Sequence, residues 1–216
     1  MILGLLLLAM ASHVPAQLSA PSLSPAVAGR AEQAIRCAEK HGMTPRRLLV
    51  ADMSMRSTQK RLWEFDITNP MHPKLLLNDL VAHGAGSDPK NTGTPTKFSN
   101  ATNSHSTSLG VYAVAEAYVG KHGLAYRLDG LMAGFNNNAR ERDVVLHKSD
   151  YVREGNVGRS YGCPAVSPAV MTALDKEGLK NTVLWIDGQD AALEQALASC
   201  AGDAPSTQSI ASFVSI

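Results

Sequence analysis

The sequence of 216 residues is long enough for one domain with a hydrophobic core, and 44% hydrophobic and 18% charged residues make a globular composition. Twenty lysine and arginine residues stand against 19 aspartate and glutamate residues, so a net charge of +1 provides no field that would attract nucleic acid or anionic lipid. The basic residues form no long run, and we expect no nucleic-acid partner.

The first sixteen residues have the pattern of a secretory signal peptide. Residues 2–10 are an apolar run, shorter than the roughly 20 residues that a membrane-spanning helix needs. Small residues follow, and Val-Pro-Ala at 14–16 is typical of a cleavage site, although no lysine or arginine precedes the apolar run. We interpret 1–16 as a signal peptide, with a buried N-terminal helix as the alternative. We therefore expect an exported protein of the periplasm or cell envelope, with no membrane span after cleavage.

After this segment, the periodicity of apolar residues predicts many short strands and few helices. In chain order it predicts a helix over 26–40, strands over 48–53 and 61–67, an apolar stretch over 75–83, a long loop over 84–103, strands over 109–119, 126–132 and 143–147, a helix over 168–179, a strand over 182–186 and a helix over 191–200. This pattern indicates a mainly β fold. We divide it into a linker and N-terminal helix (17–47), a β domain (48–187) and a C-terminal helix and tail (188–216).

The three cysteines, Cys37, Cys163 and Cys200, are an odd number, which in an exported protein suggests one disulfide and one free thiol. A pair of Cys37 with Cys200 would close a long loop and leave Cys163 free. The alternative is three buried free thiols. No Cys-x-x-Cys motif occurs, so a redox dithiol or a cysteine-rich zinc site is not expected.

The residues most typical of catalysis are His147, at the end of a predicted strand, and Cys163, sixteen positions later. A thiol becomes a strong nucleophile when a neighbouring imidazole takes its proton, and a strand end holds such a base rigidly. Gly162 permits close approach of the backbone, and the N–H groups of Gly162 and Cys163 are candidates for stabilising an oxyanion. Arg159 and Ser160 are candidates for holding a substrate carboxylate or amide.

The run from Gly158 to Val166, which contains Arg-Ser-x-Gly-Cys-Pro, resembles one branch of the YkuD-like L,D-transpeptidase catalytic domain when taken with the strand-end histidine. The resemblance covers roughly residues 48–186. Further motifs of the same family stand upstream in order: 98–100 (Phe-Ser-Asn), 108–112 (Ser-Leu-Gly-Val-Tyr), 120–123 (Gly-Lys-His-Gly), 128–131 (Leu-Asp-Gly-Leu) and 134–136 (Gly-Phe-Asn). It implies a β-sandwich with a few peripheral helices and makes 48–187 the catalytic domain.

The resemblance also implies a chemistry. Cys163 would attack the L-to-D peptide bond of a peptidoglycan tetrapeptide stem, release D-alanine, and pass the acyl group to an amine or to water. His147 would be the base, oriented by the backbone carbonyl of Lys148, without a metal or a cofactor. Tyr161 stands where many members have a second histidine, and Lys148 stands where glycine or serine is common. With His105, Tyr161 is a further candidate for substrate contact, although a solvated loop explains His105 equally well.

Peptidoglycan stem peptides are thus the expected partners, and we expect a monomer. An L,D-carboxypeptidase of the same fold and a non-catalytic wall-binding module remain as alternatives. A metallopeptidase using His83, His105 and His147 is disfavoured because no close pair of ligands occurs. A sortase is disfavoured by the Gly-Cys-Pro context, and papain-like or NlpC-type hydrolases have the cysteine before the histidine.

Overall fold

The computed structural model describes residues 17–121, 123–176 and 178–203, so the predicted signal peptide and the end of the tail lie outside the described residues. Within these ranges, strands predominate over helices, and the prediction of a mainly β protein with few helices is confirmed. The elements are α1 (Pro25–Lys40), β1 (Arg47–Asp52), β2 (Leu62–Asp66), β3 (Lys74–Asp79), β4 (Gly110–Gly120), β5 (Gly123–Gly130), β6 (Val145–Lys148), β7 (Val152–Arg153), β8 (Asn156–Val157), β9 (Ala165–Val166), α2 (Pro168–Lys176), β10 (Thr182–Asp187) and α3 (Ala191–Ala201).

Most of these strands belong to one sheet. Among the described residues it has eight strands in the order β3-β2-β1-β10-β4-β5-β6-β9, and β7 and β8 form a separate hairpin. The β1–β10 pair is parallel, and so is the β6–β9 pair at one edge, while the other pairs are antiparallel. The last strand along the chain therefore lies in the middle of the sheet. Every residue of β10 is buried, as expected for a strand that is covered on both faces.

Helix α1 shares one hydrophobic core with the sheet, and contacts β1, β4 and β10. Ser24 caps its first turn by accepting a hydrogen bond from the Val27 N–H at 3.2 Å, and Pro25 occupies the first helical position. Its buried face consists mainly of alanine, at positions 28, 31, 34 and 38. Small side chains allow the helix axis to approach the sheet closely. None of the described helices has the length and apolarity required to cross a membrane.

A disulfide joins α1 to α3. It links Cys37 to Cys200, whose Cα atoms are 5.0 Å apart, and Cys163 is the free cysteine. An ion pair between Arg36 and Asp203, at 2.8 Å, connects α1 to the end of α3 a second time. The two terminal helices of the described chain are therefore fastened to each other on one side of the sheet.

Candidate active site

Cys163 lies in a tight loop that leads into the edge strand β9. This loop is bonded to a neighbouring segment by its backbone: Ser160 N–H donates to the His83 carbonyl at 3.0 Å, and Ala85 N–H donates to the Ser160 carbonyl at 2.8 Å. The Ser160 hydroxyl donates to the Cys163 carbonyl at 2.6 Å and accepts from the Gly162 N–H at 3.1 Å. Backbone and side-chain bonds together fix the position of the cysteine.

Glycine is required immediately before the cysteine. Gly162 has φ of +123°, a conformation that side chains disfavour. A Cβ atom there would stand 2.9 Å from the Ser106 carbonyl oxygen. A Cβ atom on Gly84 would in turn stand 2.9 Å from the Gly162 Cα atom. Two glycines therefore allow three backbone segments to meet beside Cys163.

His147 is positioned by the strand pair β6–β9. Its position is in register with Ala165, and its N–H donates to the Pro164 carbonyl at 3.3 Å, so it lies next to the segment that carries Cys163. The residue is 4% exposed. Its Nδ1 is 2.9 Å from the carbonyl oxygen of Lys148. Because a carbonyl only accepts, Nδ1 carries the proton and Nε2 holds the lone pair of the neutral ring.

The sulfur of Cys163 lies beside the start of the same strand. Its Sγ is 3.5 Å from the Val145 backbone nitrogen and 3.7 Å from the Asp143 carbonyl oxygen. Burial raises the pKa of the thiol above its usual value, while the Val145 N–H and the charges of Arg142 and Lys121 oppose that rise. The resting residue is therefore a thiol that needs a base to give up its proton.

The other predicted contact residues divide into an inner and an outer set. The Arg159 guanidinium donates to the Asp88 carbonyl, and Ser160 is only 7% exposed with its hydroxyl engaged inside the loop. Tyr161, by contrast, is 76% exposed and stacks on His105 with ring centroids 4.5 Å apart. The hydroxyl of Ser160 bonds the loop backbone on both sides, and its contact with substrate stays a prediction.

The two predicted oxyanion donors differ in their hydrogen bonds. The Gly162 N–H donates to the Ser160 hydroxyl, so it is not directed at a ligand in this conformation. The Cys163 N–H forms no hydrogen bond to any other described residue. Both stay predicted oxyanion donors, and of the two only the Gly162 N–H has a hydrogen-bond partner among the described residues.

A cluster of three buried polar side chains, Arg61, His83 and Asp88, lies next to the cysteine loop. Arg61 donates to Nδ1 of His83 at 2.8 Å, and the other ring nitrogen of His83 is 3.6 Å from the Asp88 carboxylate. Burial, with the Arg61 charge, lowers the pKa of His83 to about 4, and burial lowers the pKa of Arg61 to about 10. His83 is thus neutral near pH 7, and its backbone carbonyl holds Ser160.

The histidines that a metallopeptidase would need are not grouped. In the part of the chain that the structure describes, one set of side chains has the spacing of metal ligands: Cys37, His41 and Cys200. Cys37 and Cys200 are joined in the disulfide, so their sulfur atoms cannot bind a metal as thiolates. His83, His105 and His147 are not part of any such set.

Comparison with known proteins identifies the family. The sequence model of the L,D-transpeptidase catalytic domain matches residues 19–186. The protein belongs to this family. The YkuD-like fold predicted from the sequence is thereby confirmed, and the match includes both α1 and the segment from β6 to β9.

The solved structures to which the chain is similar include L,D-transpeptidases. An L,D-transpeptidase from Mycobacterium smegmatis is 14% identical, over 66% of this chain and 59% of that one, with a TM-score of 0.39. A fragment (residues 123–326) of the Xylanimonas cellulosilytica L,D-transpeptidase is 16% identical, over 67% and 61%, with a TM-score of 0.38. The helical cell shape determining protein Pgp2 (K307A mutant) of Campylobacter jejuni is 11% identical, over 80% and 61%, with a TM-score of 0.49. The chain spans about three fifths of each of these lengths. A comparison with curated proteins gave no match.

Sequence reasoning missed one residue of this candidate site. Arg142 directs its guanidinium at four oxygen atoms of residues 99–108, beside the cysteine loop. In the sequence it is one of two arginines next to Glu141, and nothing distinguishes it from the exposed Arg140. Its position immediately before the predicted strand 143–147 is the one signal in the sequence.

Proposed function

We propose that this protein is a peptidoglycan L,D-transpeptidase in which Cys163 forms an acyl-enzyme and His147 is the general base. One observation carries the proposal: β6 and β9 are paired so that His147 lies beside the segment that carries Cys163, with its Nδ1 bound to the Lys148 carbonyl. This hydrogen bond places the ring proton on Nδ1, which makes Nε2 the basic nitrogen for the proposed proton transfer. Membership of the family supplies the substrate class.

In the proposed first half-reaction, Nε2 of His147 takes the thiol proton as Sγ attacks the carbonyl carbon of the L-to-D bond in a tetrapeptide stem. The bond to the nitrogen of the terminal D-alanine then breaks, and His147 returns the proton to that nitrogen. The product is a thioester on Cys163 and free D-alanine. The Cys163 N–H is the proposed oxyanion donor, since a backbone N–H of the nucleophile itself is well placed for that task.

In the second half-reaction, an amine of another stem attacks the thioester carbonyl. His147 takes a proton from the amine and returns one to the departing thiolate, so the enzyme is regenerated and a cross-link is formed. Water as the acceptor would give a tripeptide instead. Neither step needs a cofactor, because every proton is moved by the cysteine–histidine pair.

We propose that the outer residues meet the substrate. The stacked pair of Tyr161 and His105 forms an exposed surface two residues from Cys163, where it could pack against the stem or its sugar. Arg159 and Ser160 instead hold the loop in shape, as their hydrogen bonds to Asp88 and Cys163 indicate.

We further propose that the protein is exported to the periplasm or cell envelope and acts there as a monomer. The disulfide between Cys37 and Cys200 supports an oxidising compartment, because such bonds rarely persist where thiols are kept reduced. The substrate is found in the same place. The interpretation of residues 1–16 as a signal peptide stays a prediction.

Product analysis tests this function. Purified protein is incubated with disaccharide-tetrapeptide from a wall digest, and the products are separated by liquid chromatography with mass detection. We expect D-alanine and cross-linked dimers, both absent after the single free cysteine, Cys163, has been alkylated with iodoacetamide. Tripeptide without dimers would identify an L,D-carboxypeptidase. No D-alanine from folded, unalkylated protein would contradict the proposed substrate.

A further inference from the structure

The side chain of Arg142 bridges the loop of residues 99–108 and the cysteine loop. Nη1 donates to the Ser99 carbonyl at 2.9 Å and to the Ser108 hydroxyl at 3.1 Å. Nη2 donates to the Ser106 carbonyl at 2.8 Å and to the Ser104 hydroxyl at 3.1 Å. One guanidinium therefore ties together both ends of a ten-residue segment that contains no strand or helix.

The same guanidinium borders the nucleophile. A Cβ atom on Gly162 would stand 3.3 Å from Nη2 of Arg142, so the arginine lies directly against the residue before Cys163. The main chain of Arg142 leads into Asp143 and then Val145, the two residues whose backbone groups contact Sγ. The position of the sulfur and the position of the loop thus depend on one residue.

The charge of Arg142 also acts on the sulfur. It opposes the effect of burial on the pKa of Cys163, while the nearby Asp143 acts in the opposite direction. Arg142 is half-buried, and burial lowers its own pKa, but a guanidinium remains charged in proteins. All four hydrogens on its two terminal nitrogens already form hydrogen bonds within the protein. No pair of these N–H groups is therefore left for a bidentate hydrogen bond to a substrate carboxylate.

We propose that Arg142 is a positioning residue for Cys163: it clamps the loop of residues 99–108 against Gly162 and stabilises the thiolate that attacks the substrate. The inference rests on the proposed role of Cys163 as the nucleophile. It assigns Arg142 two separable tasks, one that depends on charge and one that depends on the geometry of its hydrogen bonds.

Two substitutions separate the tasks. Arg142→Gln removes the charge, and Arg142→Lys keeps the charge but loses the planar set of hydrogen-bond donors. Arg140→Gln is the matched control, because Arg140 is an exposed arginine two residues away that binds Glu116 and Asp129. The rate of alkylation of Cys163 by iodoacetamide is measured against pH in each full-length protein, together with D-alanine release.

We expect Arg142→Gln to slow alkylation at neutral pH by about tenfold and to shift the pH midpoint upwards, because an opposite charge nearby favours the thiolate. Arg142→Lys keeps a midpoint close to that of the unmodified protein but loses most of its D-alanine release, and Arg140→Gln changes neither. An unchanged pH midpoint in a folded Arg142→Gln protein would overturn the inference, as would an equal shift in Arg140→Gln. If instead the alkylation profile shifts as expected while no variant or parent releases D-alanine, the inference stands and the proposed substrate fails.

Discussion

Replacing Cys163 with alanine is expected to abolish acyl transfer, and replacing His147 with glutamine to slow it by about 10²–10⁴-fold. The first change removes the atom that forms the thioester. The second removes the base, and it leaves Cys163 as a thiol whose pKa burial keeps high, so little thiolate is present near neutral pH. D-Alanine release from disaccharide-tetrapeptide measures both effects.

His72→Gln is the control for a histidine change away from the site. His72 is exposed in the turn before β3, and its replacement should leave the release of D-alanine unchanged. Far-ultraviolet circular dichroism checks that all variants are folded. A Cys163→Ala protein that still releases D-alanine at a measurable rate would contradict the mechanism, and full activity in His147→Gln would remove His147 from it.

Loss of the disulfide is expected to have the largest effect on stability. The bond joins residues 163 positions apart, and in the chain-entropy account a closed loop of that length stabilises the folded state by about 5 kcal/mol. The double variant Cys37→Ala/Cys200→Ala should therefore unfold at markedly lower urea concentration. Equilibrium urea denaturation, followed by tryptophan fluorescence, measures the change because Trp63 and Trp185 are fully buried.

The control for this prediction is Arg36→Gln, which breaks the ion pair between Arg36 of α1 and Asp203, two residues after the end of α3. Because that pair is partly exposed, its loss should cost less than about 1 kcal/mol. A double cysteine variant as stable as Arg36→Gln would show that the disulfide contributes little beyond packing. A large loss in Arg36→Gln would move the stabilising role from the disulfide to the ion pair.

Much of the secondary structure follows from local pattern. Helix α1 has a proline at its first position, a stripe of alanines and a capping serine just before it, and β10 contains the apolar run 183–186. Each signal lies in the element or next to it. The order of the strands does not follow in this way. Nothing in the sequence of β10 shows that it pairs with β1 and β4, because that arrangement depends on contacts between distant segments.

The candidate site, too, could be predicted only in part from the sequence. Residue type and spacing were enough to propose His147 and Cys163 as a catalytic pair. The hydrogen bonds of Arg142 could not be predicted from the sequence, because its partners, between Ser99 and Ser108, lie in a loop without periodicity. The hydrogen bonds of Ser160 could not be predicted for a related reason: its hydroxyl has the chemistry of a substrate contact, and only the folded loop shows that it bonds Cys163 and Gly162.

The most direct test of the central claim is the intact mass of the protein, quenched in acid shortly after mixing with disaccharide-tetrapeptide. The account predicts a covalent increase equal to the mass of the donor minus D-alanine, located on Cys163 by peptide mapping and absent from Cys163→Ala. D-Alanine release without any adduct on Cys163, or an equal adduct on the Cys163→Ala protein, would contradict it.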